Sequence, residues 1–431
     1  MIFICFVAVV LFTTLSALEK YEGSALLEII PESALDQKSL QKLEHGELMV
    51  DFWKAAALPG QKSIALVRKE FKREVAKYLR KHKLKWIKLD FNVGKHIRDV
   101  HFTWLEKNKV KKIEEIYSDW KRFPYNEYNG YEEISSLLSQ INAEFPNMTR
   151  LVTIGQSYEG RNLSALRIGT AKRGIWIDAG IHAREWIAVS SAVYMIGQIL
   201  KDYNKGDPKV RHLMDNISWY ILPMFNPDGY EFTRTTDRLW RKSRSRNNVS
   251  SINCDGVDLN RNFDVDFGVS GTSMSPCSHV YCGPHAFSEP ETISLRRFLK
   301  ENERNLVAYV ALHTFSQLWL MPFGYGANEF PLDINELNAT ALEAVQALRS
   351  VHHSKYHVMT SGQLYPASGD GPDWVKTYTK IPYCYTIELR PDHYRKGGFV
   401  LPESEIIPTG EEVYAGLKAM AEHILKKLPK N

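Results

Sequence analysis

Two kinds of apolar spacing divide the chain. Up to residue 112, short apolar runs at 25–30, 48–53 and 64–67 are punctuated by Pro31, Pro59 and Gly60, which is the grammar of strands joined by turns. Residues 68–83 then carry apolar positions at helical spacing, so this part predicts a small antiparallel sheet with helices on one face. Beyond Phe123 the pattern alternates. Nearly continuous apolar runs at 174–181, 217–225, 306–312 and 383–389 have the composition of strands buried on both faces. Helical spacing at 131–145, 186–203, 289–303 and 337–353 accompanies them. The expected fold is α/β: a single large α/β/α domain around a mixed, mostly buried sheet, preceded by a small α+β domain.

The first 17 residues form an apolar run that ends at Ser16 and Ala17, short of the roughly 18 residues a bilayer span requires. No Lys or Arg precedes the run, but its length and small terminal residues predict a removable export signal, 1–17, and a secreted, extracellular protein with no membrane partner. Loss of Cys5 with the signal leaves Cys254, Cys277, Cys282 and Cys384, an even count suited to an oxidising compartment. Glycosylation sequons at Asn147, Asn162, Asn216, Asn248 and Asn338 agree with export.

Charge adds a division of labour. The net charge of +5 is too small for 431 residues to indicate a nucleic-acid partner. It is unevenly spread: residues 18–112 hold 21 Lys and Arg against 13 Asp and Glu, so the remainder carries −3. A basic module tethered to a slightly acidic one can dock on it and cover its cleft. The stretch 106–122, with Lys107, Lys109, Lys111, Lys112, Lys121 and Arg122, suits cutting by a trypsin-like protease, although a solvated helix face explains the same charges. The expected units are therefore 18–105, a connecting segment 106–122, and 123–431.

Each buried run leads into residues a core would not select. The first ends in His182-Ala-Arg-Glu185, the second in Asn226-Pro-Asp-Gly229 and the third in His313-Thr314, while the fourth contains Glu388. Ligands collect at the carboxyl ends of strands in open α/β sheets, so these groups converge on one crevice. His182 and Glu185, three apart where a strand gives way to a helix, can face one point, and His313 is the obvious third donor. Two imidazoles and a carboxylate leave a position open for water, as in a catalytic zinc site, so one Zn²⁺ per chain is expected. A single strand-end histidine is more often hydrogen-bonded than metallated; the coincidence of four such groups argues for the metal. Glu388 alone would pass as a partner of Arg390, but beside an activated water it becomes a general base. Arg241 in the segment 240–244, and Arg261 next to Asn260 in 258–263, are fixed cations whose planar forks suit carboxylates. Tyr365, among loop formers at 362–369, could fold over a substrate.

These residues lie in motifs, GIHAREW at 180–186, NPDGY at 226–230, LWRK at 239–242, DLNRNF at 258–263, ALHTFSQ at 311–317, YPASG at 365–369 and TIELR at 386–390. In that order they resemble the zinc metallocarboxypeptidases of the pancreatic A/B type, and the N-terminal module resembles the activation segment of their proenzymes. The resemblance implies that His182, Glu185 and His313 bind zinc and that Glu388 promotes attack of water on the last peptide bond. It implies that Arg241 stabilises the oxyanion, that Asn260, Arg261 and Tyr365 hold the terminal carboxylate, and that Arg184 helps bind peptide. It also implies a Cys254–Cys277 disulfide, leaving Cys282 and Cys384 as free thiols. The expected protein is a monomeric proenzyme acting on peptide and protein C-termini. A peptide-binding relative without catalysis is the alternative, disfavoured by the full set of ligands with Glu388 and Arg241. A zinc amidohydrolase acting elsewhere than at a peptide end is disfavoured by Asn260, Arg261 and Tyr365 together. Where A-type enzymes usually carry an aliphatic residue and B-type enzymes an acid, this chain has Pro372. Asp370 suits a pocket for Lys or Arg, whereas Leu320 and Gly324 suit an apolar one.

Overall fold

The computed structural model describes residues 20–46, 48–108, 119–247 and 254–428, with the main chain alone for 102–108. The expected signal 1–17, most of the connecting segment and the Asn248 sequon lie outside these residues.

The N-terminal module is built from β1 (Ala25–Ile30), α1 (Ala34–Glu44), β2 (Asp51–Lys54), β3 (Ser63–Val67), α2 (Lys72–Lys81), β4 (Lys85–Lys88) and α3 (Val93–Asn108). Its sheet is antiparallel in the order β2-β3-β1-β4. Strand alternation gives it two apolar faces. Ala25, Leu27, Ile29, Ala65 and Val67 meet Leu40 and Leu43 of α1 and Val75 and Leu79 of α2. Leu26, Trp53, Ile64 and Leu66 point the other way and pack, with Val93 and Ile97 of α3, on Leu239, Tyr394, Phe399 and Val400 of the large domain. Helix α3 continues to Asn108, beyond residue 105 where composition suggested a boundary.

The large domain follows with α4 (Tyr131–Glu144), β5 (Thr149–Gln156), β6 (Asn162–Ile168), β7 (Gly174–Ala179), α5 (Trp186–Asn204), α6 (Pro208–Asn216), β8 (Ser218–Leu222), α7 (Pro227–Thr235), α8 (Pro290–Asn302), β9 (Leu306–Thr314), β10 (Leu318–Met321), α9 (Ile334–His352), β11 (His357–Thr360), α10 (Gly371–Tyr378), β12 (Tyr383–Leu389) and α11 (Ile406–Lys427). Eight strands form one mixed sheet in the order β11-β10-β12-β9-β7-β8-β6-β5. The four continuous apolar runs are its centre, with parallel pairing of β12 to β9, β9 to β7 and β7 to β8. Every residue of β7 and β9 is buried. Alternate side chains serve different layers: Ile175, Ile177, Ala308, Val310 and Ile387 join one core with α5, α9 and α11, while Trp176, Tyr309, Ala311 and Cys384 join another with α8 and α10. Four strands escaped the periodicity reading of this domain. β5 and β6 are partly exposed, and β10 and β11 are only four residues long. Cys254 and Cys277 are disulfide-bonded, whereas Cys282 and Cys384 are buried free thiols.

Candidate active site

The carboxyl ends of β7, β9 and β12 bring the distant groups together. After β7 the chain turns at Gly180, whose φ of +71° suits glycine. A Cβ there would lie 2.6 Å from Val189 Cγ2. The turn delivers His182 and, at the start of α5, Glu185. His182 Nδ1 lies 2.8 Å from Glu185 Oε1, His313 Nδ1 lies 3.2 Å from Glu185 Oε2, and the two histidine Nδ1 atoms are 3.2 Å apart. One donor atom from each of the three residues lies within 4.8 Å of the others, and all three residues are buried. Two imidazoles and one carboxylate this close are the donor set a catalytic zinc uses, so the residues fit the ion.

A second layer orients them. Asp258, absent from the sequence-based candidates although it heads the DLNRNF motif, places Oδ1 3.3 Å from His182 Nε2 and accepts Arg241 Nε and Nη2 through Oδ2 at 3.0 and 2.8 Å. Burial alone would raise the Asp258 carboxyl; Arg241 and His182 outweigh it and hold it well below the usual range. Burial, reinforced by Arg241, lowers the His182 imidazole, which favours the neutral form a metal ligand needs. The Glu185 amide-facing oxygen, Oε2, also accepts Thr314 N–H at 3.2 Å.

Glu388 reaches this cluster by strand register. It stands directly opposite His313 where β12 pairs with β9. Burial pushes its carboxyl up to about 8, with Glu185 adding to the rise and His313 and Arg241 opposing it. A cation held by the cluster would pull it back down.

Arg261 is 3% exposed. Its Nε donates to the Gly271 carbonyl at 2.9 Å and its Nη1 to the Asn260 carbonyl at 2.7 Å. Among the described residues it forms no ion pair, and its hydrogen bonds go to neutral carbonyl oxygens. Asn260 Oδ1 accepts Gly371 N–H at 3.2 Å, and Gly369, with φ of +77°, lets its loop pass so close that a Cβ would be 2.3 Å from the Arg261 carbonyl. Half-buried Tyr365 lines a cavity of about 30 Å³ with Arg184, Arg241, Arg261 and His279. Asp370 N-caps α10, with Oδ1 accepting Asp373 N–H at 2.8 Å. Its Oδ2 makes no hydrogen bond among the described residues and sits 2.7 Å from where a Cβ on Gly324 would be.

The other wall of that small cavity belongs to the N-terminal module, through Glu44, Val50 and residues 51–55. Asp51 Oδ2 accepts Arg184 Nη1 at 2.5 Å, while the Arg184 guanidinium lies 3.9 Å from the Phe399 ring centre. Trp53 meets Phe399 and Phe315 edge to face. The carbonyls of Glu44 and His45 accept Ser278 Oγ and Ser273 Oγ at 3.1 and 3.0 Å. Sequence reasoning anticipated a cover but not these residues. The one visible signal was an acid, Asp51, interrupting an apolar strand.

The sequence profile of zinc carboxypeptidases matches residues 134–416, and that of the carboxypeptidase activation peptide matches residues 27–99. The chain belongs to the zinc carboxypeptidase family. It is 36% identical to carboxypeptidase A2 of Rattus norvegicus over 94% of this chain and 95% of that protein. It is 39% identical to carboxypeptidase B of Astacus astacus over 70% of this chain and 98% of that protein. Among solved structures, carboxypeptidase A from Helicoverpa armigera superimposes with a TM-score of 0.83 at 31% identity, covering 94% of this chain and 98% of that one. Thrombin-activatable fibrinolysis inhibitor does so with a TM-score of 0.79 at 30% identity, covering 94% and 99%. The chain is thus a metallocarboxypeptidase, a peptide hydrolase of the A/B type with an activation segment in front.

Proposed function

We propose that this protein is a secreted, monomeric proenzyme that removes the last residue of peptides and proteins, after a trypsin-like protease has cut the segment behind the activation module. The observation that carries this reading is Arg261, a buried guanidinium that forms no ion pair among the described residues and lines one small cavity with Arg241 and Tyr365. A buried charge outside any ion pair is costly, and a substrate's terminal carboxylate is the anion that relieves the cost. The same requirement excludes internal peptide bonds, which bring no such charge.

Zinc held by His182, Glu185 and His313 would supply Lewis acidity to the scissile carbonyl. Arg261 grips the terminal carboxylate, with the Asn260 amide and the Tyr365 phenol completing the trap. Arg241, already fixed by Asp258, presents its remaining guanidinium donor to the oxyanion. Glu388 takes a proton from the attacking water and passes it to the departing amine. Arg184 binds the peptide further from its end, and Asp51 occupies it in the proenzyme. Trypsin-treated protein is expected to hydrolyse free-acid peptides and to spare their amides. Glu388→Gln should cut kcat by about 10³-fold or more while zinc content stays at one per chain. Equal turnover of amidated peptides, or full activity in Glu388→Gln, would refute the reading.

For the side chain removed, we propose a preference for Lys and Arg. Its support is the unpaired Asp370 Oδ2 beside Gly324, where any larger residue would crowd the carboxylate. Asp370→Asn keeps an oxygen to cap α10 and deletes the charge. The ratio of kcat/KM for peptides ending in Lys to those ending in Phe should fall by about tenfold or more. An unchanged ratio would assign Asp370 to capping alone.

A further inference from the structure

The sequence 69–88 of the activation module contains nine Lys and Arg against Glu70 and Glu74. Its surplus of seven positive charges accounts for nearly all of the +8 carried by residues 18–112. Charge attraction between the two modules would place this surplus at their interface, and the structure places it elsewhere. Helix α2 covers the face of the small sheet opposite to the one that packs on the large domain. The contacts that join the modules include apolar packing, the hydrogen bonds of Ser273 and Ser278 to the His45 and Glu44 carbonyls, and two ion pairs, Lys20 with Asp237 at 2.5 Å and Asp51 with Arg184. The second of these has the acid on the basic module.

Within α2, Val75 and Leu79 face the core. At 100° per residue, Arg73, Lys77 and Arg80 fall on the opposite side, with Lys81 beside them, in a stripe about 10 Å long. All four are exposed. None of Arg73, Lys77, Arg80 and Lys81 forms an ion pair among the described residues, and neither does Lys83 or Lys88. Lysines on the edge strand β4 serve to keep that edge from pairing with another chain, but this does not explain a stripe on a helix. Four unpaired cations in a row repel one another in the free protein, and a linear polyanion removes that repulsion.

We infer that the α2 face of the activation module is a docking surface for a sulfated polysaccharide, which holds the uncut protein through the part that cleavage later separates from the enzyme. A lipid surface would call for exposed apolar side chains to insert, and in 69–88 the one large exposed hydrophobic residue is Ile87. A single-stranded nucleic acid would call for exposed aromatic platforms, whereas Tyr78 and Trp86 are half-buried in the core behind the helix. Alternating sulfate groups ask only for closely spaced cations.

The test uses the full chain and heparin as the probe. Wild-type proenzyme should bind heparin in solution, and Arg73→Glu/Lys77→Glu/Arg80→Glu/Lys81→Glu should bind at least about tenfold more weakly. Glu is as good a helix former as the residues replaced, and unchanged circular dichroism together with full activity after trypsin certifies the variant's fold. The corresponding Gln variant guards against loss of the Glu variant and should also weaken binding. Trypsin-treated enzyme freed of the activation module should lose heparin binding. Unaltered binding in both variants, or retention by the freed enzyme at full strength, would overturn the proposal. So would a preference for duplex DNA or phosphatidylserine vesicles over heparin at equal ionic strength.

Discussion

Glu291 stands in the first turn of α8 with no exposed surface; Oε1 accepts Tyr158 N–H at 2.9 Å and Oε2 has no partner among the described residues. Burial pushes its carboxyl up to about 8 against the pull of the Tyr158 amide, and Glu289 and Asp228 add to the rise. In the unfolded chain a glutamate ionises near its ordinary pKa of about 4.3. The folded state therefore holds a proton that the unfolded state has lost, and stability falls as pH climbs from about 4.5 towards 8. Glu291→Gln keeps the oxygen that accepts the amide and abolishes the penalty. It should melt several degrees above the wild type at pH 8 and at nearly the same temperature at pH 4, by calorimetry. Equal melting at both pH values would show that water or a local shift relieves the buried acid. Nothing in the linear sequence distinguishes this glutamate from its neighbours, because its environment is made by Tyr158 after β5, Asp228 of α7 and Glu289 together.

At the scale of elements, the short strand β2 performs the covering. Asp51 accepts both Trp53 Nε1–H at 3.0 Å and Arg184, and Trp53 fills the space between Phe315 and Phe399. Burial would raise the Asp51 carboxyl, but Arg184 and His279 hold it below its usual range. Its contribution to docking is present above the ordinary carboxylate pKa and is lost only under acid. Glu44 works in the opposite sense. Burial pushes it up to about 7 although Arg261 and Arg241 pull down, Asp51 adding to the rise. Its docking cost grows as pH rises from about 4.5 to 7. Breaking a buried pair from one side costs roughly 3–5 kcal/mol, so Asp51→Ala should raise the basal peptidase activity of the uncut protein by about 100-fold or more. Activity after tryptic treatment should match the wild type. A silent uncut variant would shift the inhibitory role to Trp53 and the chain around Glu44.

Across the whole molecule, a metal binding the folded state alone stabilises it by mass action, by about 2.7 kcal/mol at a free concentration 100 times Kd. Chelation of the activated protein should abolish activity and lower the melting temperature by several degrees, with both restored by Zn²⁺ at one ion per chain. Loss of activity with no thermal shift would mean that the three ligands hold their places without the ion. No helix among the described residues is long and apolar enough to cross a membrane.

Local grammar revealed the central strands, because a segment buried on both faces must be apolar throughout, and it revealed the cluster that could hold a metal, because polar groups at strand ends stand out against such runs. Motif order then carried the family. Tertiary structure alone decided the rest. The register of β12 on β9 sets Glu388 beside His313, and hydrogen bonding between strands has no counterpart in linear spacing. Asp258 gained its place by lying between His182 and Arg241, and Arg261 by being buried with its hydrogen bonds on the Gly271 and Asn260 carbonyls. The surplus of positive charge was plain from composition, but which way it faced depended on which side of a four-stranded sheet met the enzyme. Charge totals contain no direction, and packing supplies it.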